Sequence, residues 1–143
     1  MATRDEIADS IAGMAIFVDL ARPQLMSVAS RFEEAFFQQG TRVLRQGLTG
    51  SGFYVILDGE ADVVADGQKL ATLARGDFFG EVSVLLGEPP TADIVATRPL
   101  RCIVLGGPGV EGFLVDHPRV MFRMLQAQAR RLRNANRRMT ANQ

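Results

Sequence analysis

The stretch FYVILDGEADVVADGQKLATLA, residues 53–74, decides the class of fold. It contains three runs of strand-forming residues, which are separated by Asp58-Gly59 and Asp66-Gly67. Asp-Gly between such runs favours a type I′ turn, because both central residues of that turn have positive φ. The sequence therefore predicts a three-strand meander over residues 53–74.

The residues around this stretch show the same pattern of short strands. Nine of the 14 glycines lie between Gly40 and Gly87, a density typical of strands joined by tight turns. Further strands are predicted at roughly 32–38, 42–45, 92–97 and 100–105. Cys102 alternates with Arg101 and Ile103 in the last of these, so we expect it to be packed rather than reactive. Many short strands at even spacing predict a sandwich or barrel.

Helices are predicted on both sides of the strands. Arg22-Pro23-Gln24 begins a short helix through Leu25, Val28 and Ala29, and a proline in the first turn costs no hydrogen bond. His117-Pro118 begins a longer helix, with His117 expected to be exposed. We expect one domain over residues 1–143, with an N-terminal helical segment (1–31), a β-body (32–106) and C-terminal helices (110–140).

The last helix carries a stripe of mostly apolar residues at spacings of 3, 4, 3, 4 and 3. We call this stripe the seam; it consists of Phe122, Leu125, Ala129, Leu132, Asn136 and Met139. The spacing is that of a short two-stranded coiled coil, and it predicts a homodimer through the residues from Phe122 to Asn136. The alternative is a helix that packs its stripe on its own domain. Val120, Met121 and Met124 form a second apolar set that can face the domain instead.

Charge divides the chain at Asp116. The formal net charge is zero, but the residues after Asp116 include seven arginines and no acid, and the preceding 116 residues carry −7. A basic element of this kind is one feature of proteins that bind nucleic acid. No recognition helix follows the arginines, so we expect no sequence-specific DNA binding and interpret them as solvated charge or partners of the acidic body.

Several classes of protein are excluded by composition and motif. No apolar run approaches the length of a membrane span, and the acidic N-terminus does not resemble a secretory signal. One cysteine and one histidine argue against a disulfide, an iron–sulfur cluster, a zinc site or a haem ligand. No catalytic constellation is present. We expect a cytoplasmic protein that is not an enzyme and has no metal or cofactor.

The segment RGDFFGEVSVLLGEPPTA, residues 75–92, contains candidate ligand-binding residues, and we call it the cassette. Gly80 allows a close approach of the backbone. Residues 81–86 can form one or two helical turns, whose first N–H groups are unpaired and favour an anion. A carboxylate at Glu81 can accept hydrogen bonds from a pair of hydroxyls; the alternative for Glu81 is an acid stabilised by the helix dipole.

With these residues in place, the chain resembles the cyclic-nucleotide-binding domain of the cyclic-AMP receptor protein (Crp/Fnr-like) family. The resemblance runs from Leu25 to Phe32, through Gly40-Thr41 and Tyr54 to Gly59, and through the cassette to Pro118 and Ala129 to Leu132. It implies a mainly β protein with flanking helices, a double-stranded β-helix (jelly roll) with a long C-terminal helix. It also implies that the last helix dimerises and covers the ligand. The ligand-binding residues that it implies are Gly80, Glu81, Val82, Ser83, Pro90, Thr91, Ala92, Arg131 and Asn136.

The resemblance assigns Glu81 to the ribose 2′-hydroxyl and a residue near Ala135 or Asn136 to the base. Asn136 can also be a polar residue that sets the register of the seam, and Thr91 can be an ordinary strand residue.

One position departs from the family pattern, because Pro90 stands where the family has the arginine that pairs with the cyclic phosphate. A hydrogen bond to a charged group contributes about 1.5–3 kcal/mol, so its loss weakens binding roughly 10- to 100-fold. Arg131 from the long helix is a candidate replacement for this charge. It does not restore the fork geometry with which the family's arginine contacts the phosphate. We expect a small-molecule sensor that binds cyclic AMP, cyclic GMP or a related anion weakly. The alternative is a degenerate domain that acts in dimerisation or partner docking.

Overall fold

Eight β-strands form the centre of the structure, a computed structural model that describes residues 2–48 and 52–141. The strands are β1 (Glu33–Phe37), β2 (Arg42–Leu44), β3 (Gly52–Asp58), β4 (Glu60–Ala65), β5 (Gln68–Ala74), β6 (Phe78–Phe79), β7 (Asp93–Ala96) and β8 (Leu100–Gly106). They form two antiparallel sheets with the strand orders β1-β8-β3-β6 and β2-β7-β4-β5. This arrangement confirms the predicted jelly roll.

Helices lie at both ends of this β-body, and one short helix (Glu81–Leu86) lies within it between β6 and β7. They are α1 (Arg4–Ile11), a 3-10 turn (Ala15–Phe17), α2 (Arg22–Arg31), α3 (Glu81–Leu86), α4 (Gly107–Asp116) and α5 (Pro118–Ala141). A capping box begins α1, because the Thr3 side chain accepts from the Glu6 N–H and the Glu6 carboxylate accepts from the Thr3 N–H. The long helix predicted from His117-Pro118 is α5.

The core has two parts, and β3 borders both. Phe53, Val55 and Leu57 pack with the helices, whereas Ile56 packs with Cys102 between the two sheets. A strand that is buried on both faces has no polar alternation, which explains the unbroken apolar run of β3. Cys102 is fully buried, as predicted.

The predicted meander is wrong at its first turn. The Asp66-Gly67 turn has positive φ at both residues and joins β4 to β5 as a hairpin. At Asp58-Gly59 only the glycine has positive φ, and the chain crosses there from one sheet to the other. Gly59 is needed because a Cβ at this residue would lie 2.3 Å from the Pro99 carbonyl oxygen. The dipeptide therefore serves a close approach between backbones rather than a hairpin.

Two side chains near the start of α5 also differ from expectation. His117 is buried instead of exposed: its ring stacks on Phe113, and its Nδ1 lies 3.0 Å from the Phe113 carbonyl oxygen. The backbone leaves the helical conformation at His117, the C-cap of α4 (φ −128°, ψ 67°), and α5 begins at the next residue. Val120 and Met124 face the domain as expected, but Met121 is largely exposed.

Candidate functional site

A cavity of about 420 Å³ lies between the cassette, the second sheet and α5. Its walls are mostly apolar side chains from the strands, and its polar groups come from the cassette and the helix. The lining residues are Leu44, Val63, Leu70, Ala71, Leu73, Phe78, Phe79, Gly80, Glu81, Val82, Ser83, Pro90, Thr91, Ala92, Ile94, Arg131, Asn134, Ala135 and Arg138. An apolar cavity with a few convergent polar groups is typical of a small-molecule site.

Gly80 places the cassette against β3. Its φ is +89°, and a Cβ at this position would lie 2.1 Å from the Gly52 carbonyl oxygen. No other amino acid fits that contact without a shift of the backbone. The close approach expected of Gly80 is therefore present, and it brings the first residue of α3, Glu81, under α5.

Glu81 is the most unusual polar residue of the cavity. Only 2% of the residue is exposed. Its Oε1 accepts from Gln128 Nε2 at 2.8 Å and from Arg131 Nη1 at 3.0 Å, whereas its Oε2 is buried without a hydrogen-bond partner. A buried carboxylate oxygen without a donor costs free energy, and such an atom is commonly explained by a ligand or water that supplies one.

Arg131 is held by several contacts besides the carboxylate. Its Nη2 donates to the Phe78 carbonyl oxygen at 2.8 Å, and its guanidinium lies 4.3 Å from the centre of the Phe78 ring. These contacts fix α5 on the cassette. Together with the hydrogen bond to Glu81, they use two of its five N–H groups, and the ion pair with Glu81 compensates its charge, so Arg131 is not an unpaired cation for an anion at Pro90.

A second anchor holds the start of α5. Asp19 accepts from Arg123 at 2.8 and 2.9 Å and from Arg119 at 3.2 Å. The hydrogen bonds from Arg123, with further ones from Arg119, lower the pKa of Asp19 to about 2. Together with buried Val120 and Met124, this cluster sets the position and rotation of the helix over the cavity.

None of the cassette residues that line the cavity is a cation. Pro90 is buried, and its carbonyl oxygen accepts from the Gly47 N–H at 2.9 Å, which holds the cassette to the loop after β2. Ser83 donates its hydroxyl to the Glu88 carbonyl oxygen and so closes the end of α3. Among the described residues that line the cavity, the cations are Arg131 and Arg138, and both come from α5.

The structure brings eight of the nine proposed site residues to one cavity. The residues Gly80, Glu81, Val82, Ser83, Pro90, Thr91, Ala92 and Arg131 all line it, whereas Asn136 does not. Asn136 lies with Leu132 and Arg133 in a shallow groove on the outer side of α5. Sequence reasoning missed Asn134 and Arg138, although the helical period starting from Arg131 places both on the same face.

Other chemistry is not supported near the cavity. Burial raises the pKa of the Cys102 thiol to about 12, so the thiolate that reacts as a nucleophile is scarce at neutral pH. Within residues 2–48 and 52–141, no group of His, Cys, Asp and Glu could hold a metal ion. In the same part of the chain, no helix is long and apolar enough to cross a bilayer.

The jelly roll, the Gly80-Glu81 turn and the covering helix together define a class of regulatory module. The sequence matches the cyclic nucleotide-binding domain family over residues 34–117, more than half of the chain. The chain belongs to this family, which confirms the resemblance drawn from the cassette.

Known proteins similar to this chain include a protein kinase and a cyclic nucleotide-binding domain of known structure. A cGMP-dependent protein kinase of Plasmodium berghei (strain Anka) is 33% identical over 93 residues, which are 64% of this chain and 11% of the kinase. A crystal structure of a cyclic nucleotide-binding domain from Methylobacillus flagellatus has a TM-score of 0.82 at 25% identity, and the match covers 98% of this chain and 84% of that one.

A third similar protein is the regulatory subunit of a cAMP-independent protein kinase A from Trypanosoma brucei. Its TM-score is 0.74 at 25% identity, over 86% of this chain and 47% of that one. A variant of that subunit with three substitutions, one of them threonine to arginine, is described as bound to cAMP in the A site. The variant has a TM-score of 0.69 at 22% identity, over 87% of this chain and 51% of that one.

Proposed function

We propose that this chain is a regulatory module that binds a nucleotide-like anion in the cavity beneath α5, with weak affinity for cyclic AMP and cyclic GMP. The observation that carries the proposal is the Glu81 carboxylate: the residue lines the cavity, and its Oε2 is buried without a hydrogen-bond partner. A ribose hydroxyl would supply the missing donor. Because Arg131 and Gln128 use the other oxygen, the ligand would not have to displace them.

Pro90 is the reason that we expect weak affinity for cyclic nucleotides. It lines the cavity, is buried and offers neither charge nor an N–H donor. The trypanosome regulatory subunit supports this view, since it is named as cAMP-independent and its cAMP-bound variant carries a new arginine among three substitutions.

Calorimetric titration of the Pro90→Arg variant tests the proposal. A charge-assisted hydrogen bond of about 1.5–3 kcal/mol predicts roughly 10- to 100-fold tighter binding of cyclic AMP or cyclic GMP than in the wild type. Pro89→Arg is the matched control, because Pro89 is exposed and lies outside the cavity lining. No binding to folded Pro90→Arg at millimolar nucleotide, or equal gains in both variants, would contradict the proposal.

A specific observation also favours a docking role, the alternative function. The seam is exposed along α5: Phe122, Leu125, Leu132 and Met139 are 44–66% exposed, and they do not face the cavity. A second copy of the helix offers the matching stripe, and the polar Asn136 would set the register of the pair. We propose that this chain forms a homodimer through the seam, whether or not a ligand is bound.

Sedimentation of the Leu132→Glu variant tests the homodimer. A charge in the seam should convert a dimer to a monomer, because two carboxylates would face each other in an apolar contact. Arg130→Glu adds a similar change off the seam and should leave the dimer intact. A wild type that sediments as a monomer at tens of micromolar, or a Leu132→Glu variant that remains dimeric, would rule the seam out.

A further inference from the structure

A cation on α5 bears on which anions the cavity accepts. We propose that Arg138 binds the anionic group of the ligand, and that this group lies well apart from the hydroxyl bound by Glu81. The ligand class is then an acyclic nucleotide, a nucleoside 5′-phosphate, in preference to a 3′,5′-cyclic nucleotide. This inference rests on the proposed function, since it concerns the same cavity.

The choice of Arg138 follows from the contacts of the two cavity cations. Arg131 is committed to Glu81 and to the Phe78 carbonyl oxygen and ring. Arg138 lines the cavity and has no ion pair among residues 2–48 and 52–141. The cassette contributes Pro90 and Thr91 at its far side and no cation. Of the two cavity cations, Arg138 is therefore the one whose charge is not paired with a carboxylate in the described part of the chain, and it supplies the counter-charge for an anion.

The spacing along α5 separates the two ends of the ligand. Arg131 and Arg138 are seven residues apart, which is two helical turns or about 10 Å along the helix axis, and they lie on the same face. Glu81 is paired with the first of them. The donor for Glu81 Oε2 and the anion at Arg138 are thus at opposite ends of the site.

Only some nucleotides fit such a separation. In a 3′,5′-cyclic nucleotide the phosphate is closed onto the sugar beside the 2′-hydroxyl, so the hydroxyl and the charge stay adjacent. In a nucleoside 5′-phosphate the phosphate is on a rotatable ester at the other side of the sugar and carries more negative charge. Leu70, Leu73 and Ile94 of the cavity wall are apolar and suit packing against the base.

Titration calorimetry with adenosine 5′-phosphate tests the inference, with adenosine, 2′-deoxyadenosine 5′-phosphate and cyclic AMP as comparison ligands. In the wild type, adenosine 5′-phosphate should bind at least about ten-fold tighter than cyclic AMP. It should also bind at least about ten-fold tighter than adenosine, which lacks the phosphate, and than 2′-deoxyadenosine 5′-phosphate, which lacks the 2′-hydroxyl. Arg138→Gln should remove most of the gain due to the phosphate and leave adenosine binding unchanged. The control is Arg137→Gln, since Arg137 is the neighbouring arginine and does not line the cavity.

Three results would overturn the inference. They are cyclic AMP binding as tightly as adenosine 5′-phosphate, equal effects of Arg138→Gln and Arg137→Gln, and no binding of adenosine 5′-phosphate at millimolar concentration. Titration of Pro90→Arg with cyclic AMP then separates the two proposals. If Pro90→Arg binds cyclic AMP, the proposal of a nucleotide cavity is supported and only the proposed role of Arg138 is wrong. If it binds neither cyclic AMP nor adenosine 5′-phosphate, both the nucleotide cavity and the role of Arg138 are wrong.

Discussion

Removal of the Arg131 side chain is the sharpest test of how α5 is held on the cassette. Truncation of one partner of a buried ion pair costs about 3–5 kcal/mol, and an exposed pair contributes at most about 1 kcal/mol. The Glu81 side chain is 2% exposed and that of Arg131 is 38% exposed, so this pair lies between the two cases. Gln128 would still donate to the carboxylate, whereas the contact with the Phe78 ring would be lost.

We therefore expect Arg131→Ala to lower the free energy of unfolding by about 2–3 kcal/mol. For a chain of this length, that change lowers the Tm by roughly 5–10 °C. Urea denaturation and thermal melts followed by circular dichroism measure both quantities. Arg130→Ala is the control, because Arg130 is exposed and has no ion pair among residues 2–48 and 52–141.

A double-mutant cycle with Glu81→Gln isolates the pair from other effects of the truncation. Residues in direct contact through an ion pair usually show a coupling energy of about 0.5–3 kcal/mol. We expect a coupling energy of at least about 1 kcal/mol between Glu81 and Arg131. If Arg131→Ala is as stable as Arg130→Ala within about 0.5 kcal/mol, or if the coupling is near zero, Arg131 does not hold the helix and our account of the site is wrong.

Two further predictions concern the β-body and the second anchor of α5. Gly59→Ala should lower the free energy of unfolding by about 3 kcal/mol or more, because its Cβ would meet the Pro99 carbonyl oxygen. Gly67→Ala, at a residue with positive φ but open space, should lower it by about 1 kcal/mol. Equal losses of stability in denaturant titrations would refute the contact between Gly59 and Pro99. Asp19→Asn should destabilise the chain at neutral pH. Because the pKa of Asp19 is lowered to about 2 in the folded state, the stability from its charge is present above pH 4 and is lost as the pH falls from about 4 to 2. The unfolding curves of wild type and Asp19→Asn should therefore converge over that interval, and a constant difference down to pH 2 would contradict this role of Asp19.

The elements of the β-body were predictable where a local signal decides the structure. Asp66-Gly67 was interpreted correctly because a type I′ hairpin needs only its own two residues and their flanking strands. Asp58-Gly59 is the same dipeptide, but the prediction of a hairpin there is wrong. Its conformation depends on the backbone of Pro99, which is 40 residues away, and no local pattern reveals that contact.

The residues of the candidate site also divide into those with a local sequence signal and those placed by contacts between distant parts of the chain. Gly80 and Glu81 could be assigned from the cassette alone, but Gln128 and Arg131 meet Glu81 across 47 and 50 residues of chain. The face of α5 towards the cavity was predictable in principle, since Arg131, Asn134 and Arg138 follow the helical period. Asn136 was assigned to the ligand through the family resemblance, although its position in the seam places it about 140° around the helix from Arg131.

The division of charge along the chain has a structural consequence at the cavity. The basic helix is tied to the acidic body at two points, Asp19 with Arg119 and Arg123, and Glu81 with Arg131. The second point uses one oxygen of a carboxylate whose other oxygen is buried without a hydrogen-bond partner. A ligand hydroxyl at Oε2 would thus share the carboxylate with Arg131 rather than compete for it. Under the proposed function, docked α5 forms one wall of the ligand cavity, so helix docking favours ligand binding, and by linkage the ligand favours docking by the same factor. Arg131→Ala should therefore weaken ligand binding as well as stability, although Arg131 has no direct role at the anion.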